Sequence, residues 1–72
     1  MATKSEIISQ VEVADLKDEN WVEETRMLIE TSGNPYALGY MDAQFREIGE
    51  AVPSDSEDYR EFVIEALEEA FK

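Results

Sequence analysis

The sequence predicts a mostly α-helical fold: a small bundle of three to four helices, with a first segment that is alternatively a short strand. In the last three segments, apolar residues recur every three or four positions, which is the spacing of an amphipathic helix. Short polar connections separate the segments, and such connections favour antiparallel neighbours packed as a bundle. Because 72 residues have room for one core, we expect residues 1–72 to form a single acidic helical domain.

The first segment, from Thr3 to about Leu16, is predicted as a helix. Its opening residues Thr3-Lys4-Ser5-Glu6 have the T-x-x-E form of a capping box. The apolar residues that follow at helical spacing are Ile7, Ile8, Val11 and Ala14. A short strand is the alternative, because Val11-Glu12-Val13 alternates between apolar and polar residues and β-branched side chains favour strands.

The second segment is predicted as a helix with Asn20 as its cap and Glu23 three residues further on. One face of this helix carries Trp21, Val22, Thr25, Leu28 and Ile29. We expect Trp21 in the core, since it lies on that face. The helix ends before Gly33, the residue best suited to a left-handed terminal position.

The third segment begins with Asn34 as its cap and Pro35 at the first helical position, where a missing N–H costs nothing. A narrow apolar seam of the coiled-coil type follows at Leu38, Met41, Phe45, Ile48 and Val52. We expect this seam to face the core of the monomer, and a homodimer formed through it is the alternative. Pro53 ends the helix.

The fourth segment repeats the same signals. Ser54-Asp55-Ser56-Glu57 is predicted to form a second capping box. One apolar stripe then runs along the helix at Tyr59, Phe62, Val63, Ala66, Leu67 and Ala70. Lys72 lies near the negative end of the helix dipole, where a cation is favourable.

The composition excludes several kinds of active site. The chain has 18 Asp and Glu against 6 Lys and Arg, a formal net charge of −12, and neither His nor Cys. Disulfides, thiolate nucleophiles, the usual zinc sites and the Ser-His-Asp arrangement therefore lack their atoms. Direct nucleic-acid binding is not expected, because it requires clustered Lys and Arg. We expect a non-enzymatic protein with no catalytic residue, no metal site and no cofactor.

Motifs for calcium and phosphate are also missing. An EF-hand loop needs a central Gly among its oxygen ligands, and neither residues 15–20 nor residues 54–58 supply one. The three glycines are too far apart to form a phosphate-binding loop.

The acids of the fourth segment form a row. Those spaced three, four and three residues apart are Asp58, Glu61, Glu65 and Glu68. Like charges at these spacings destabilise a helix by about 0.2–0.5 kcal/mol per pair, and only Arg60 and Lys72 interrupt them. We expect these acids to bind a partner. The predicted partner-binding residues are Asp55, Glu57, Asp58, Glu61, Glu65, Glu68 and Glu69, with Glu23, Glu24 and Glu30 of the second segment as a second set.

Such a row can imitate phosphates. Neighbouring carboxylates in it are about 5–6 Å apart, and each DNA strand carries one charge per about 3.4 Å of axis. The sequence therefore predicts a DNA mimic: an inhibitor that occupies the basic groove of a nucleic-acid-processing enzyme. The alternative is an acidic helical interaction module, an adaptor or assembly subunit, that binds a basic protein patch without imitating DNA.

Apolar anchors are expected beside the charges, because Trp and Tyr dominate binding energy at interfaces. Tyr36 and Tyr40 lie one turn apart and off the apolar seam of the third segment. They are the predicted partner-binding aromatic residues.

In size and charge the chain resembles small phage-encoded inhibitors of restriction, CRISPR, repair or transcription enzymes. That resemblance implies a viral protein directed at a host enzyme. Residues 1–6 are polar, and the sequence predicts neither a signal peptide nor a membrane partner. We expect a cytoplasmic location, a host's cytoplasm included.

Overall fold

Four α-helices and no strand make up the chain, in a computed structural model that describes residues 1–72. The helices are α1 (Lys4–Val13), α2 (Trp21–Thr31), α3 (Pro35–Ala51) and α4 (Glu57–Ala70). Each helix packs against the next one along the chain, and α4 also packs against α1, whereas the diagonal pairs α1–α3 and α2–α4 do not approach closely. The predicted small helical bundle is confirmed, as a ring of four helices measuring 28 × 21 × 17 Å.

The first segment is a helix, so the strand alternative is wrong. The hydroxyl oxygen of Thr3 accepts a hydrogen bond from the Glu6 backbone N–H at 3.3 Å and caps α1. Ile7 and Val11, one turn apart, are fully buried, whereas Val13 is 76% exposed. The apolar-polar alternation therefore reflects one buried and one exposed valine on a helix.

The second and third helices begin and end where the sequence places them, although one of their caps differs. Asn34 caps α3 by accepting a hydrogen bond from the Ala37 N–H at 3.1 Å, with Pro35 in the first turn. Asn20 precedes α2, but its side chain makes no capping hydrogen bond. Gly33 has a φ of +76°, as the predicted left-handed terminus requires.

The fourth helix starts two residues later than the predicted capping box. Its cap is Ser56 and not Ser54: the Ser56 hydroxyl oxygen accepts from the Tyr59 N–H at 3.2 Å and donates to the Pro53 carbonyl at 2.6 Å. The Ser54 carbonyl instead accepts a hydrogen bond from the Trp21 indole N–H at 3.2 Å. A contact with α2 thus fixes the loop ahead of α4.

Two aromatic side chains from the first turns of α2 and α4 bridge these diagonal helices, although the helices themselves do not pack together. Trp21 and Tyr59 are buried, with ring centroids 5.6 Å apart in an edge-to-face arrangement. The Tyr59 hydroxyl donates to the Phe45 carbonyl at 3.2 Å, and the Thr25 hydroxyl donates to the Trp21 carbonyl at 2.8 Å. The polar atoms in this part of the core therefore have partners. Trp21 is a core residue, as predicted.

The apolar seam of α3 faces inward. Met41 and Ile48 are buried, and the half-buried members that pack against the same core are Leu38, Phe45 and Val52. The rest of the core comes from α1, α2 and α4. The seam is therefore used inside one copy of the chain.

Arg60 joins α4 to the carboxyl end of α1. Its guanidinium donates hydrogen bonds to the Ala14 carbonyl at 2.9 Å, to the Val11 carbonyl at 3.4 Å and to the Glu12 carbonyl. The last carbonyls of a helix have no partner within the helix, and a cation there also opposes the negative end of the dipole. Arg60 supplies the basic residue that the last turn of α1 lacks.

Candidate partner-binding surface

The outward face of α4 carries a continuous row of carboxylates. The buried residues of this helix all lie on its opposite side, and Asp58, Glu61 and Glu65 are exposed. We call these three residues the acidic ridge. They are spaced three and four residues apart, so each lies about 5–6 Å from the next along the helix surface.

The cations near α4 form ion pairs with acids that lie outside the acidic ridge. Lys4 on α1 contacts Glu68 at 3.2 Å, and Lys72 contacts Glu69 at 3.4 Å. Arg60 turns toward α1 and lies 3.4 Å from a Glu57 oxygen. No residue of the acidic ridge has an ion pair. The predicted row of four is therefore shortened at one end, where Glu68 has a partner.

Position within a helix explains some of the acids without any partner. Glu57 and Asp58 lie in the first turn of α4, and Glu23 and Glu24 lie in the first turn of α2. Negative side chains stabilise a helix there, because the N-terminal N–H groups carry a partial positive charge. Glu61 and Glu65 have neither this benefit nor a cation. They are the two predicted acids of α2 and α4 that have neither an ion pair nor a place in a first turn.

A groove with aromatic walls adjoins the acidic ridge on the side of α3. Tyr40 and Phe62 line this depression of about 300 Å³, and Glu65 and Glu69 lie at its α4 side. Phe62 is 44% exposed, whereas the other five residues of the predicted apolar stripe of α4 are buried. The buried side of the helix is already occupied by Tyr59 and the residues in register with it, and Phe62 falls at the edge toward α3.

The two predicted tyrosines extend this aromatic surface along α3. The Tyr36 and Tyr40 rings stack with centroids 6.2 Å apart and an interplanar angle of 23°. Tyr36 is 69% exposed, and Tyr40 is half-buried. The aromatic side chains beside the acidic ridge are thus the half-buried Tyr40 and the exposed Phe62, and Tyr36 continues this surface along α3.

The second set of predicted acids lies elsewhere on the bundle. Glu23, Glu24 and Glu30 belong to α2, which is diagonal to α4. Outward faces of diagonal helices point in opposite directions, so these acids and the acidic ridge do not share a surface. Glu30 also lies 3.6 Å from Arg26.

Arg26 is held mainly by α3. Its guanidinium donates two hydrogen bonds to the Asp42 carboxylate, at 2.8 and 3.2 Å. The hydrogen bond and the negative charge of Asp42 raise the pKa of Arg26. This pair therefore links α2 to α3 and leaves little positive charge free to balance the acids of α2.

Asp55 is separated from the acidic ridge by the start of α4. It lies in the connection that precedes the helix and lines a surface depression together with Lys17 and Glu19 of the connection between α1 and α2. Of the predicted acids, the structure therefore brings together Glu61, Glu65, Asp58 and Glu69, with the aromatic groove beside them.

The acidic side chains do not cluster into a metal-binding site. No group of three or more acidic side chains is arranged to hold a metal ion. None of the four helices combines the length and the apolar composition needed to cross a bilayer. The acidic ridge is an extended surface on the side of a helix, a shape suited to binding along a complementary surface.

Comparison with known proteins gives no relative from which a role could be transferred. No protein-family model, no curated protein and no solved structure matches this chain.

Proposed function

We propose that this chain is a non-enzymatic inhibitor that places the acidic ridge of α4 in the basic groove of a nucleic-acid-processing enzyme. The carboxylates take the positions of backbone phosphates, and the bound chain competes with the nucleic acid. Its resemblance in size and charge to phage-encoded inhibitors is the reason for seeking the target among the defence or transcription enzymes of a host cell.

One observation carries this proposal: Glu61 and Glu65 are exposed, lie one helical turn apart, and have no cationic side chain paired with them. A lysine at either position would replace like-charge repulsion by an attractive pair, worth about 0.2–0.5 kcal/mol in a helix. The chain does contain cations near α4, but Arg60 is directed to α1 and Lys4 to Glu68. A cationic partner supplies the missing attraction.

The proposed binding mode is electrostatic along the acidic ridge. A groove that binds phosphates presents Lys and Arg side chains, which a row of carboxylates can pair with when nucleic acid is absent. With a net charge of −12, the chain is drawn toward such a groove from a distance, and association is fast at low salt.

A second candidate function rests on the aromatic groove. Phe62 and Tyr36 are more than two-fifths exposed, and exposed aromatic side chains are typical anchors of protein interfaces. An acidic adaptor or assembly subunit would insert a basic protein segment along Tyr40 and Phe62, with Glu65 and Glu69 as ionic partners. Its affinity would depend on the aromatic residues more than on salt.

Competitive elution distinguishes the two functions. The chain is immobilised, loaded with a lysate of a candidate host at low salt, and washed with either a DNA duplex or NaCl of equal ionic strength. The inhibitor function predicts that a nucleic-acid enzyme is released by the duplex at an ionic strength at which NaCl leaves it bound. Release by NaCl alone, with no effect of the duplex, would contradict it.

Two double variants of equal net charge test whether the captured enzyme contacts the acidic ridge. Glu61→Lys with Glu65→Lys should abolish capture, because both changes fall on the acidic ridge. Glu19→Lys with Glu50→Lys has the same net charge of −8 in place of −12, and both of its positions are exposed and lie off α4. Capture should survive in this control. For the adaptor function, Tyr40→Ala with Phe62→Ala would be the damaging change.

A further inference from the structure

A second surface groove lies on the other side of the bundle, between α1 and α2. It has a volume of about 450 Å³, and Val13, Met27 and Leu28 are among its apolar lining residues. Val13 is 76% exposed and Met27 is 56% exposed. Neither side chain belongs to the buried core, and they are the two large apolar side chains of α1 and α2 that are exposed.

The charged residues that line this groove are all acidic. They are Asp15, Asp18 and Glu24, and no Lys or Arg is among the lining residues. Asp15 and Asp18 are held in place because each accepts a hydrogen bond from a backbone N–H two residues further along, at 3.0 and 2.9 Å. Glu24 has no ion pair. An apolar floor with a fixed anionic rim is complementary to a segment that is apolar on one side and cationic on its flanks.

A second copy of the chain does not fit this description. Each copy has a net charge of −12 and only six cationic residues. Four of those six already have carboxylate partners within the copy, namely Lys4, Arg26, Arg60 and Lys72. Bringing two anionic rims together would add repulsion that the apolar contact must overcome.

We propose that the groove between α1 and α2 docks a cationic amphipathic helix of another protein. The apolar face of that helix covers Val13, Met27 and Leu28, and its Lys or Arg residues pair with the acidic rim. Helix-in-groove recognition uses such apolar anchors, and a flexible methionine such as Met27 adapts to differently shaped partners.

This docking site is independent of the acidic ridge. In the ring of four helices the α1–α2 side is opposite the α3–α4 side, so a partner in the groove leaves Glu61 and Glu65 accessible. The chain can then hold a cationic helix on one side while its acidic ridge is occupied on the other. Loss of one activity by mutation need not affect the other.

The test uses a synthetic amphipathic helix built from Leu and Lys as the probe and the full chain as the receptor. Isothermal titration should give one site per chain, and amide shifts in an NMR titration should cluster on α1 and α2. A Ser/Lys peptide of the same charge should bind at least about tenfold more weakly, because it lacks the apolar anchors that carry most of the binding energy.

Two variants test whether the Leu/Lys peptide binds in the groove between α1 and α2. Val13→Ser with Met27→Gln should weaken binding of the Leu/Lys peptide by about tenfold or more, since both side chains are apolar contacts. Both positions are exposed, and the fold should be unaffected. Arg46→Gln with Glu47→Gln, two exposed positions on α3 without ion pairs, keeps the net charge, is the control and should bind like the original chain.

Three results would overturn the proposal. One is equal binding of the Leu/Lys and Ser/Lys peptides, which would indicate charge attraction alone. Another is amide shifts centred on α3 and α4, with binding lost in Tyr36→Ser with Phe62→Ser and kept in Val13→Ser with Met27→Gln. The third is a dimer of the original chain in sedimentation experiments that dissociates when Val13→Ser and Met27→Gln are introduced. The groove would then be covered by a second copy.

Discussion

At the scale of single residues, the position of Arg60 determines how much of the negative charge on α4 is neutralised. In the sequence it stands between Glu57 and Glu61, as a cation that neutralises its neighbours. In the structure its side chain is only 16% exposed, and its guanidinium is directed to the carbonyls at the end of α1. The sequence could show that α4 is acidic, but not that its central cation is used elsewhere, because that depends on how α1 packs.

Replacing Arg60 with Ala should destabilise the fold by about 2 kcal/mol, because hydrogen bonds from a charged donor to three helix-end carbonyls are lost. Urea denaturation measures the change. Arg46→Ala is the control, since Arg46 is exposed and has no ion pair, and a change within about 0.5 kcal/mol is expected there. Equal effects of the two changes would show that Arg60 does not hold α1.

The buried phenol of Tyr59 makes the free energy of unfolding depend on pH in the alkaline range. Burial raises the pKa of Tyr59 above its usual value of 10.0. The unfolded chain therefore loses this proton first, so the contribution of Tyr59 to stability is fully present below pH 10.0 and declines as pH rises through the folded-state pKa. Urea midpoints measured from neutral to alkaline pH should fall less steeply for Tyr59→Phe than for the original chain. Parallel curves would contradict this assignment.

At the scale of helices, local signals predict most of the boundaries. Pro35 and Gly33 lie where the sequence places the start of α3 and the end of α2. The start of α4 was misplaced because Ser54 and Ser56 are both chemically suitable caps. The choice between them depends on Trp21, whose indole N–H binds the Ser54 carbonyl from 33 residues away. No local pattern contains that contact.

The observed cap makes a specific prediction. Ser56→Ala should cost about 1 kcal/mol in the free energy of unfolding, because the Tyr59 N–H loses its acceptor. Ser54→Ala should be nearly neutral, since only its backbone carbonyl is used. The two urea midpoints compare these effects directly, and a larger loss for Ser54→Ala would restore the capping box that the sequence suggested.

The exposure of Phe62, alone among the residues of the apolar stripe of α4, also depends on how helices pack. Its spacing from Tyr59 and Ala66 is compatible with one apolar stripe. Whether the edge of such a stripe is covered depends on the neighbouring helix, and α3 presents Tyr40 there beside an open groove. Periodicity identifies the side of a helix that faces a neighbour but not how much of that side the neighbour covers.

At the scale of the whole molecule, the ring arrangement decides which acids act together. The sequence showed acidic faces on the second and fourth helices but not that these helices are diagonal. The diagonal placement separates Glu23 and Glu24 from the acidic ridge, and the folded chain has two acidic sides. The pairing order of helices is set by tertiary packing, which a single amphipathic pattern does not contain.

The net charge should make stability dependent on salt. At about 0.01 M salt, charges interact over about 30 Å, which exceeds the 28 Å length of the molecule. All twelve excess charges then repel one another, and added NaCl screens the repulsion. The urea midpoint should rise with NaCl, and it should rise less for the Glu19→Lys and Glu50→Lys variant. A midpoint that is indifferent to salt would contradict this view of the charge.

The most direct measurement of the central claim is a competition titration with the enzyme that the chain captures. The enzyme's Kd for the original chain, the acidic-ridge variant Glu61→Lys with Glu65→Lys, and the charge-matched control is measured with and without its DNA substrate. We predict that DNA raises the apparent Kd of the original chain in proportion to its concentration. We also predict that the acidic-ridge variant binds at least about tenfold more weakly than the control. Simultaneous binding of DNA and the chain, or equal affinity of the two variants, would contradict the claim.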